Sequence, residues 1–232
     1  MAWPYPGVVA HRGGGSLAPE NTLAALRLGA SLGFKGVEFD VMLAGDGTPV
    51  LIHDETTDRT TGVKGEVAKM SFAQLSELGV PSFEEAGRLC RELGLWANVE
   101  IKPARGHERA TGEAAARMAR ELWRGANVQP LLSSFWPDAL AAARAAAPEL
   151  ARGFIVREVA PGWLEEAKRV KCVSVHCGHK KLTEPLAKEV KAAGYALACW
   201  TVNEPALARR LLGWGADCII TDALRDIGPG FA

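Results

Sequence analysis

The stretch Val37-Glu38-Phe39-Asp40-Val41 places two carboxylates inside a run that otherwise has the character of a buried strand. Side chains alternate along a strand, so Glu38 and Asp40 share one face and the three apolar residues share the other. Buried carboxylates are costly unless opposite charges or a metal ion compensate them. An edge strand with its charged face in water is the alternative, and the strand–helix pattern of the whole chain disfavours it.

Two further apolar runs carry polar groups in the same way. One is Val8-Val9-Ala10-His11-Arg12, and the other is Ala97-Asn98-Val99-Glu100-Ile101-Lys102. In the second run Glu100 and Lys102 lie on one face of the predicted strand, opposite Val99 and Ile101. Polar side chains therefore recur on one face near the ends of three predicted strands.

Short apolar runs alternate with amphipathic helical patterns along the whole chain. The predicted strands begin near Gly7, Gly36, Trp96, Pro130, Arg152, Cys172, Ala196 and Asp217. Eight strand–helix units in 232 residues predict one α/β domain over residues 1–232, a (β/α)8 TIM barrel. An open doubly wound sheet is the alternative, but the glycine-rich turn after His11 does not match G-x-G-x-x-G.

One segment interrupts this rhythm after the second strand. We expect an extra strand at 49–53, and then a small insertion over about 54–80 that contains a short helix near 71–78. Ser82 and Glu85 predict a capping box for the helix that follows, and Pro137 suits a first helical turn. Asn203 is expected to cap the last long helix.

Composition excludes several classes of function. The chain has 27 basic and 27 acidic residues, which disfavours a broad nucleic-acid footprint or stable association with an anionic membrane. No apolar run approaches the ~20 residues of a membrane span, and the first residues do not resemble a secretory signal. Five cysteines without a Cys-x-x-Cys pair suggest reduced thiols. We expect a cytoplasmic protein that acts on a small molecule, and the oligomeric state is left open.

The carboxyl ends of parallel barrel strands share one mouth, so polar residues at those ends should converge. The residues concerned are His11, Arg12, Glu38, Asp40, His53, Glu100 and Lys102. Three carboxylates form an oxygen-rich cage that suits one hard divalent cation, Mg²⁺ or Ca²⁺, better than zinc. The positive side chains of Arg12 and Lys102 and the two histidines suggest an anionic substrate, most simply a phosphate ester. The two histidines can divide the proton transfers between them.

Ordered motifs from about Pro4 to Phe231 resemble the glycerophosphodiester phosphodiesterase family, and most closely its small cytosolic bacterial members. The motifs are His11-Arg12-Gly13, Ala18-Pro19-Glu20-Asn21-Thr22, Glu38-Phe39-Asp40, His53-Asp54, Glu100-Ile101-Lys102-Pro103, Leu132-Ser133-Ser134-Phe135, Trp200-Thr201-Val202-Asn203 and Gly215-Ala216-Asp217-Cys218-Ile219-Ile220-Thr221-Asp222. Each motif alone is weak, whereas the ordered set is specific.

The resemblance implies hydrolysis of glycerophosphodiesters, in glycerol and lipid metabolism, to glycerol 3-phosphate and an alcohol. It implies metal ligands at Glu38, Asp40 and Glu100, an acid–base pair of His11 and His53, and phosphate contacts from Arg12 and Lys102. Which histidine is the base stays open, as does attack by a neighbouring glycerol hydroxyl or by water. The alternatives are phospholipase C- or D-like hydrolysis of lysophospholipids and a non-catalytic phosphate-binding barrel.

Five more residues are candidates for substrate binding or for orienting the charged groups. Glu20 and Asn21 either start a helix or orient the site. Phe135 and Trp200 either pack in the core or form a wall against the substrate. His176 is expected to line the mouth, and a zinc site at His176 and His179 is disfavoured because no partner pair is evident.

Overall fold

Eight parallel strands close into a barrel in the computed structural model, which describes residues 3–231. The barrel strands are β1 (Val8–Ala10), β2 (Gly36–Leu43), β4 (Trp96–Ile101), β5 (Leu131–Ser134), β6 (Ala151–Val156), β7 (Ser174–Gly178), β8 (Ala196–Trp200) and β9 (Cys218–Thr221). Each pairs in parallel with its neighbours in that order, and β1 closes the ring by pairing with both β9 and β2. The (β/α)8 TIM barrel predicted from the sequence is confirmed.

Helices connect successive strands on the outside of the barrel. They are α1 (Leu23–Ser31), α4 (Phe83–Leu93), α5 (Glu108–Leu122), α6 (Pro137–Ala146), α7 (Trp163–Arg169), α8 (Glu184–Ala192) and α9 (Pro205–Gly213). Two shorter helices, α2 (Asp58–Thr61) and α3 (Phe72–Glu77), belong to the insertion. No helix in the described part of the chain has the length and apolarity to cross a bilayer.

Local sequence signals set most element boundaries. All eight barrel strands begin within two residues of the positions expected from the sequence. The Ser82–Glu85 capping box forms at the start of α4, where the Ser82 hydroxyl accepts from the Glu85 amide at 3.1 Å. Pro137 opens α6, and Gly94 ends α4 in the left-handed conformation.

The expectation for Asn203 is wrong. Helix α9 begins after Glu204, and no side chain caps its first turn. The Asn203 side chain turns instead toward the end of β9, where its Oδ1 accepts from the Asp222 amide at 2.8 Å. A tertiary contact has therefore replaced the local cap.

The apolar residues divide into a layer outside the barrel and a layer inside it. Val37, Phe39 and Val41 point outward into the main core beneath the helices. A smaller inner cluster lies toward the amino ends of the strands and includes Val9, Trp96, Leu131, Ala198, Cys218 and Ile220. Above this layer, toward the carboxyl ends, the inner positions include the polar side chains of Glu38, Asn98, Glu100 and His176.

The insertion forms a small unit with its own apolar cluster. Strand β3 (Pro49–Leu51) pairs antiparallel with the end of β2. The cluster consists of Met42, Ala44, Val50, Ile52, Val67, Leu75, Val80 and Ala104. The short helix expected near 71–78 is present as α3, whereas α2 has no counterpart in the sequence-based prediction.

Helices α5 and α6 approach closely at Gly112, and this contact tests the outer packing. A Cβ at Gly112 would lie 2.2 Å from the carbonyl oxygen of Ala139. We expect Gly112→Ala to lower the free energy of unfolding by about 1–3 kcal/mol because the helices must separate. Gly213 in α9 has no atom within 4 Å of its Cβ position.

The matched control Gly213→Ala should therefore leave stability unchanged or raise it by up to about 1 kcal/mol. Urea unfolding of both variants measures the difference. Equal effects of the two substitutions would contradict the packing argument.

Candidate active site

The carboxyl ends of the strands enclose a cavity of about 80 Å³. Six of the seven residues expected to converge line it directly, and Asp40, the seventh, lies against them. The cavity is lined by His11, Arg12, Glu38, His53, Asn98, Glu100, Lys102, Phe135, Ile155, His176, Trp200, Thr201 and Ile220. Residues from distant parts of the chain thus meet at the barrel mouth.

Glu38, Asp40 and Glu100 form an acidic cluster. Each can offer one oxygen such that the three oxygens lie within 4.8 Å of one another. Burial, reinforced by the charge of Asp40, raises the pKa of Glu38 to about 7 and that of Glu100 to about 8. Burial also opposes ionisation of Asp40, but the positive charges of Lys102 and Arg12 outweigh it and lower the pKa of Asp40.

The acidic cluster contains two buried oxygens without a hydrogen-bond donor. These are Oε1 of Glu38 and Oε1 of Glu100, and Nζ of Lys102 lies 3.3 Å from the latter without forming a hydrogen bond. Buried carboxylate oxygens are rarely left unpartnered, because desolvation is then uncompensated. An all-oxygen set of this kind matches the preference of Mg²⁺ and Ca²⁺, so the residues present fit a divalent cation.

Arg12 is held at the edge of the cluster by its backbone and its side chain. Its backbone N–H donates to Glu38 at 3.0 Å, in a left-handed conformation with φ of 50°. The guanidinium donates to Glu20 at 2.7 Å, and its Nε lies 3.4 Å from Asp40 without forming a hydrogen bond. The Nε–H group of Arg12 therefore faces the acidic cluster without a hydrogen-bond acceptor.

Lys102 also lies against the acidic cluster. Its Nζ is 3.3 Å from Glu100 and 3.7 Å from Asp40, and it donates to Nε2 of His53 at 2.5 Å. Lys102 and Arg12 are thus two positive charges that flank three carboxylates.

His11 and His53 are each oriented by a carboxylate. Nδ1 of His11 donates to Asp222 at 2.6 Å, which directs Nε2 toward Glu38 at 3.8 Å. Nδ1 of His53 donates to Asp54 at 2.6 Å. In both rings a carboxylate fixes the tautomer, and Nε2 is the nitrogen that remains on the side of the cavity.

The pKa values of His11 and His53 shift in opposite directions. Burial lowers the pKa of His53, and the neighbouring charge of Lys102 adds to the effect. Burial acts the same way on His11, but the hydrogen bond that His11 donates to Asp222 and the charge of Glu38 outweigh it and raise the pKa. His11 therefore holds its proton more strongly than His53 does, and this difference suits a division of proton transfers between the two rings.

Glu20 and Asn21 orient the charged groups and do not cap a helix. Helix α1 is capped by Thr22, whose side chain accepts from the Ala25 amide. Asn21, at φ of 57°, donates to a carboxylate oxygen of Asp40 at 2.9 Å and accepts from the Asp40 amide at 3.1 Å. Glu20 accepts from Arg12 at 2.7 Å.

Phe135 and Trp200 form one wall of the cavity, with their rings edge to face and 5.4 Å between centroids. Trp200 is fixed by a hydrogen bond from its Nε1 to the carbonyl oxygen of His176 at 3.0 Å. The His176 ring is buried, and burial lowers its pKa to about 4. Its Nδ1 has no partner, so it presents a neutral ring to the cavity.

Histidine 179 does not join His176 in a metal site. It lies in a separate groove with Lys180 and Lys181, whereas the intervening Cys177 packs into the main core. Across residues 3–231 the only grouping with metal-ligand geometry is the acidic cluster.

Sequence reasoning missed the residues that support the histidines. Asp222 follows β9 directly, so the strand-end rule applied to the first three strands would have included it. Arg59 of α2 donates to Asp54 at 2.5 Å and to Glu20 at 2.6 Å, and thereby links the support of His53 to that of Arg12. No periodicity or motif in the insertion pointed to Arg59.

Comparison with known proteins agrees with this geometry. Residues 11–225 match the model of the glycerophosphoryl diester phosphodiesterase family. A glycerophosphodiester phosphodiesterase of Caldanaerobacter subterraneus subsp. tengcongensis is 30% identical over 229 residues, which cover 93% of each chain.

Solved structures give the same result. A phosphodiesterase from Oleispira antarctica, in complex with the product sn-glycerol-3-phosphate, is 35% identical with a TM-score of 0.90, covering 96% of this chain and 95% of that one. A glycerophosphodiester phosphodiesterase from Thermotoga maritima is 25% identical with a TM-score of 0.78, covering 96% of both chains. These matches confirm the predicted fold and enzyme class, and the chain belongs to the glycerophosphoryl diester phosphodiesterase family.

Proposed function

We propose that this enzyme hydrolyses glycerophosphodiesters to glycerol 3-phosphate and an alcohol, using one divalent cation, Mg²⁺ or Ca²⁺, and a pair of histidines. The observation that carries the proposal is the acidic cluster with its two unpartnered oxygens, beside two histidines and two cations in one cavity. The product bound to the Oleispira antarctica relative supports the choice of substrate.

Charge complementarity accounts for substrate binding in this proposal. Glu38, Asp40 and Glu100 hold the cation, which supplies Lewis acidity and neutralises negative charge on the phosphodiester. Arg12 and Lys102 contact the non-bridging phosphate oxygens, because each lies at the cavity with limited hydrogen bonding to the carboxylates. Phe135 and Trp200 provide the apolar wall against the glycerol or the alcohol.

The histidines carry the protons. One removes a proton from the attacking hydroxyl, either of the glycerol or of water, and the other donates one to the oxygen of the departing alcohol. When water attacks, one phosphorus–oxygen bond forms and one breaks, which gives glycerol 3-phosphate directly. When the glycerol hydroxyl attacks, the same exchange gives a cyclic phosphate, and water opens it in a second exchange. Asp222 and Asp54 hold Nδ1 of each ring, so Nε2 is the nitrogen directed at the cavity, and in His53 it accepts from Lys102.

Turnover with the cation and without it tests the proposal. We expect release of glycerol 3-phosphate from glycerophosphocholine when Mg²⁺ or Ca²⁺ is present, and loss of that activity in a chelator. Lysophospholipid micelles serve as the competing substrate. Faster hydrolysis of the micelles would favour the phospholipase alternative, and no turnover of either substrate would favour a non-catalytic phosphate-binding barrel.

Glu38→Gln should weaken cation binding and stabilise the metal-free protein. The raised pKa of about 7 means that the folded state prefers the protonated carboxyl, so wild-type stability falls as pH rises from the unfolded value near 4.5 through 7. The glutamine of the variant does not ionise, so the variant does not lose stability in this way. At about pH 8 in a chelator its free energy of unfolding should exceed that of the wild type by about 2–3 kcal/mol.

Calorimetric titration with Mg²⁺ and urea unfolding measure the two effects. We expect affinity to fall by at least about tenfold, since the variant loses a charged ligand. Glu113→Gln, an exposed carboxylate on α5, is the matched control and should change neither quantity. Unchanged affinity in Glu38→Gln would remove this residue from the ligand set.

His11→Ala and His53→Ala should each lower kcat by about 10²–10⁴-fold with the fold intact, because general acid–base catalysis contributes on that scale. Asp222→Asn should give a smaller loss, since it orients His11 without touching the substrate. His107→Ala, at an exposed position before α5, is the control and should retain full activity. Circular dichroism checks folding, and an active His11 or His53 variant would exclude that ring from the mechanism.

A further inference from the structure

A second depression of about 520 Å³ lies beside the catalytic cavity, and we call it the basic groove. Its walls are residues 157–158, after β6, and residues 178–181, after β7. Trp200 and Thr201 line both the basic groove and the catalytic cavity. The two spaces therefore meet at these two residues.

Phe135 links the charges of the two spaces. Nζ of Lys102 lies 5.9 Å from the centroid of the Phe135 ring, and the guanidinium of Arg157 lies 5.5 Å from the same centroid. Cations at these distances are attracted by the π-face of an aromatic ring. Positive charge thus extends from the catalytic lysine to the basic groove.

The basic groove carries positive charge that no carboxylate neutralises. Lys181 pairs with Glu158 at 2.7 Å. Within residues 3–231, neither Arg157 nor Lys180 has a carboxylate oxygen within 4 Å. Burial and the charge of Lys180 lower the pKa of His179, and together they outweigh the opposite effect of Glu204.

The wall of the basic groove is fixed by close packing of the backbone. A Cβ at Gly178 would lie 2.7 Å from the carbonyl oxygen of Arg157, so the ends of β6 and β7 approach more closely than a side chain permits. Gly178 is buried, and the 3₁₀ turn His179–Lys181 starts directly after it. This contact sets Arg157 next to the turn that carries Lys180.

Another depression, which shares His53 with the catalytic cavity, contains paired charges instead of unpaired positive ones. It has a volume of about 560 Å³ and lies between the loop before α1 and the insertion. Its charged residues Glu20 and Arg59 are paired at 2.6 Å. Of these two depressions, as the described residues line them, the basic groove is the one that offers cationic side chains without a carboxylate partner.

We propose that the basic groove binds an anionic group on the alcohol of the substrate, so that the enzyme prefers glycerophosphodiesters whose alcohol carries a second phosphate. This inference rests on the proposed function, because the alcohol must extend from the catalytic cavity past Trp200. Arg157 and Lys180 contact the second phosphate, and a quaternary ammonium headgroup meets two positive charges and is disfavoured.

Glycerophosphoinositol and glycerophosphoinositol 4-phosphate form the test pair, because they differ by one phosphate and contain a single diester each. We expect kcat/KM for the phosphorylated substrate to be about tenfold higher at low salt, and this ratio to fall as salt screens the exposed charges. Turnover of glycerophosphoinositol itself reports the proposed function, and the ratio of the two substrates reports the basic groove.

The double variant Arg157→Gln/Lys180→Gln should bring the ratio to within about twofold of one. The matched control Arg117→Gln/Lys188→Gln removes the same charges from exposed positions on α5 and α8, and should keep the wild-type ratio. Equal kcat/KM for both substrates in the wild type would overturn the inference, as would a preference that survives in the Arg157/Lys180 variant.

Discussion

Three carboxylates at one end of the barrel, two of them buried and Glu100 half-buried, are the constraint to which the rest of the site responds. Glu38 and Asp40 come from one strand and Glu100 from its neighbour, and their mutual repulsion is only partly offset by Arg12 and Lys102. Such a cluster persists because the barrel around it is stable for other reasons, with its apolar layers lying outside the strands and below the cluster. This excess of negative charge is what the cation of the proposed function would neutralise, and Arg12 and Lys102 would then be left for a phosphate.

The positions of the strands could be predicted because each strand–helix unit is specified by local alternation, turns and caps. The meeting of His11, Glu38 and Glu100 could be predicted because parallel strands in a closed barrel share one carboxyl end. Asn203 shows the limit of local rules. Its side chain has good capping chemistry, but the end of β9 offers it better partners that lie far along the chain.

The supports of the two histidines show why some site residues are easier to predict than others. Asp54 follows His53 directly, so their contact is a local property of the chain. Asp222 is 211 residues from His11, and only closure of the barrel by β1 and β9 brings them together. Arg59 lies in the insertion, where its contacts with Asp54 and Glu20 depend on how this segment folds against the loop before α1 and not on any repeating pattern.

Arg59 makes the arrangement of the catalytic cavity depend on the folding of the insertion. It joins the insertion to Glu20 and Asp54, which in turn hold Arg12 and His53, although it is itself largely exposed to solvent. The insertion packs around a small cluster separate from the main core. Local unfolding of the insertion would therefore displace the groups that hold Arg12 and His53 while the eight-stranded barrel stays folded. The enzyme can thus lose activity without global unfolding.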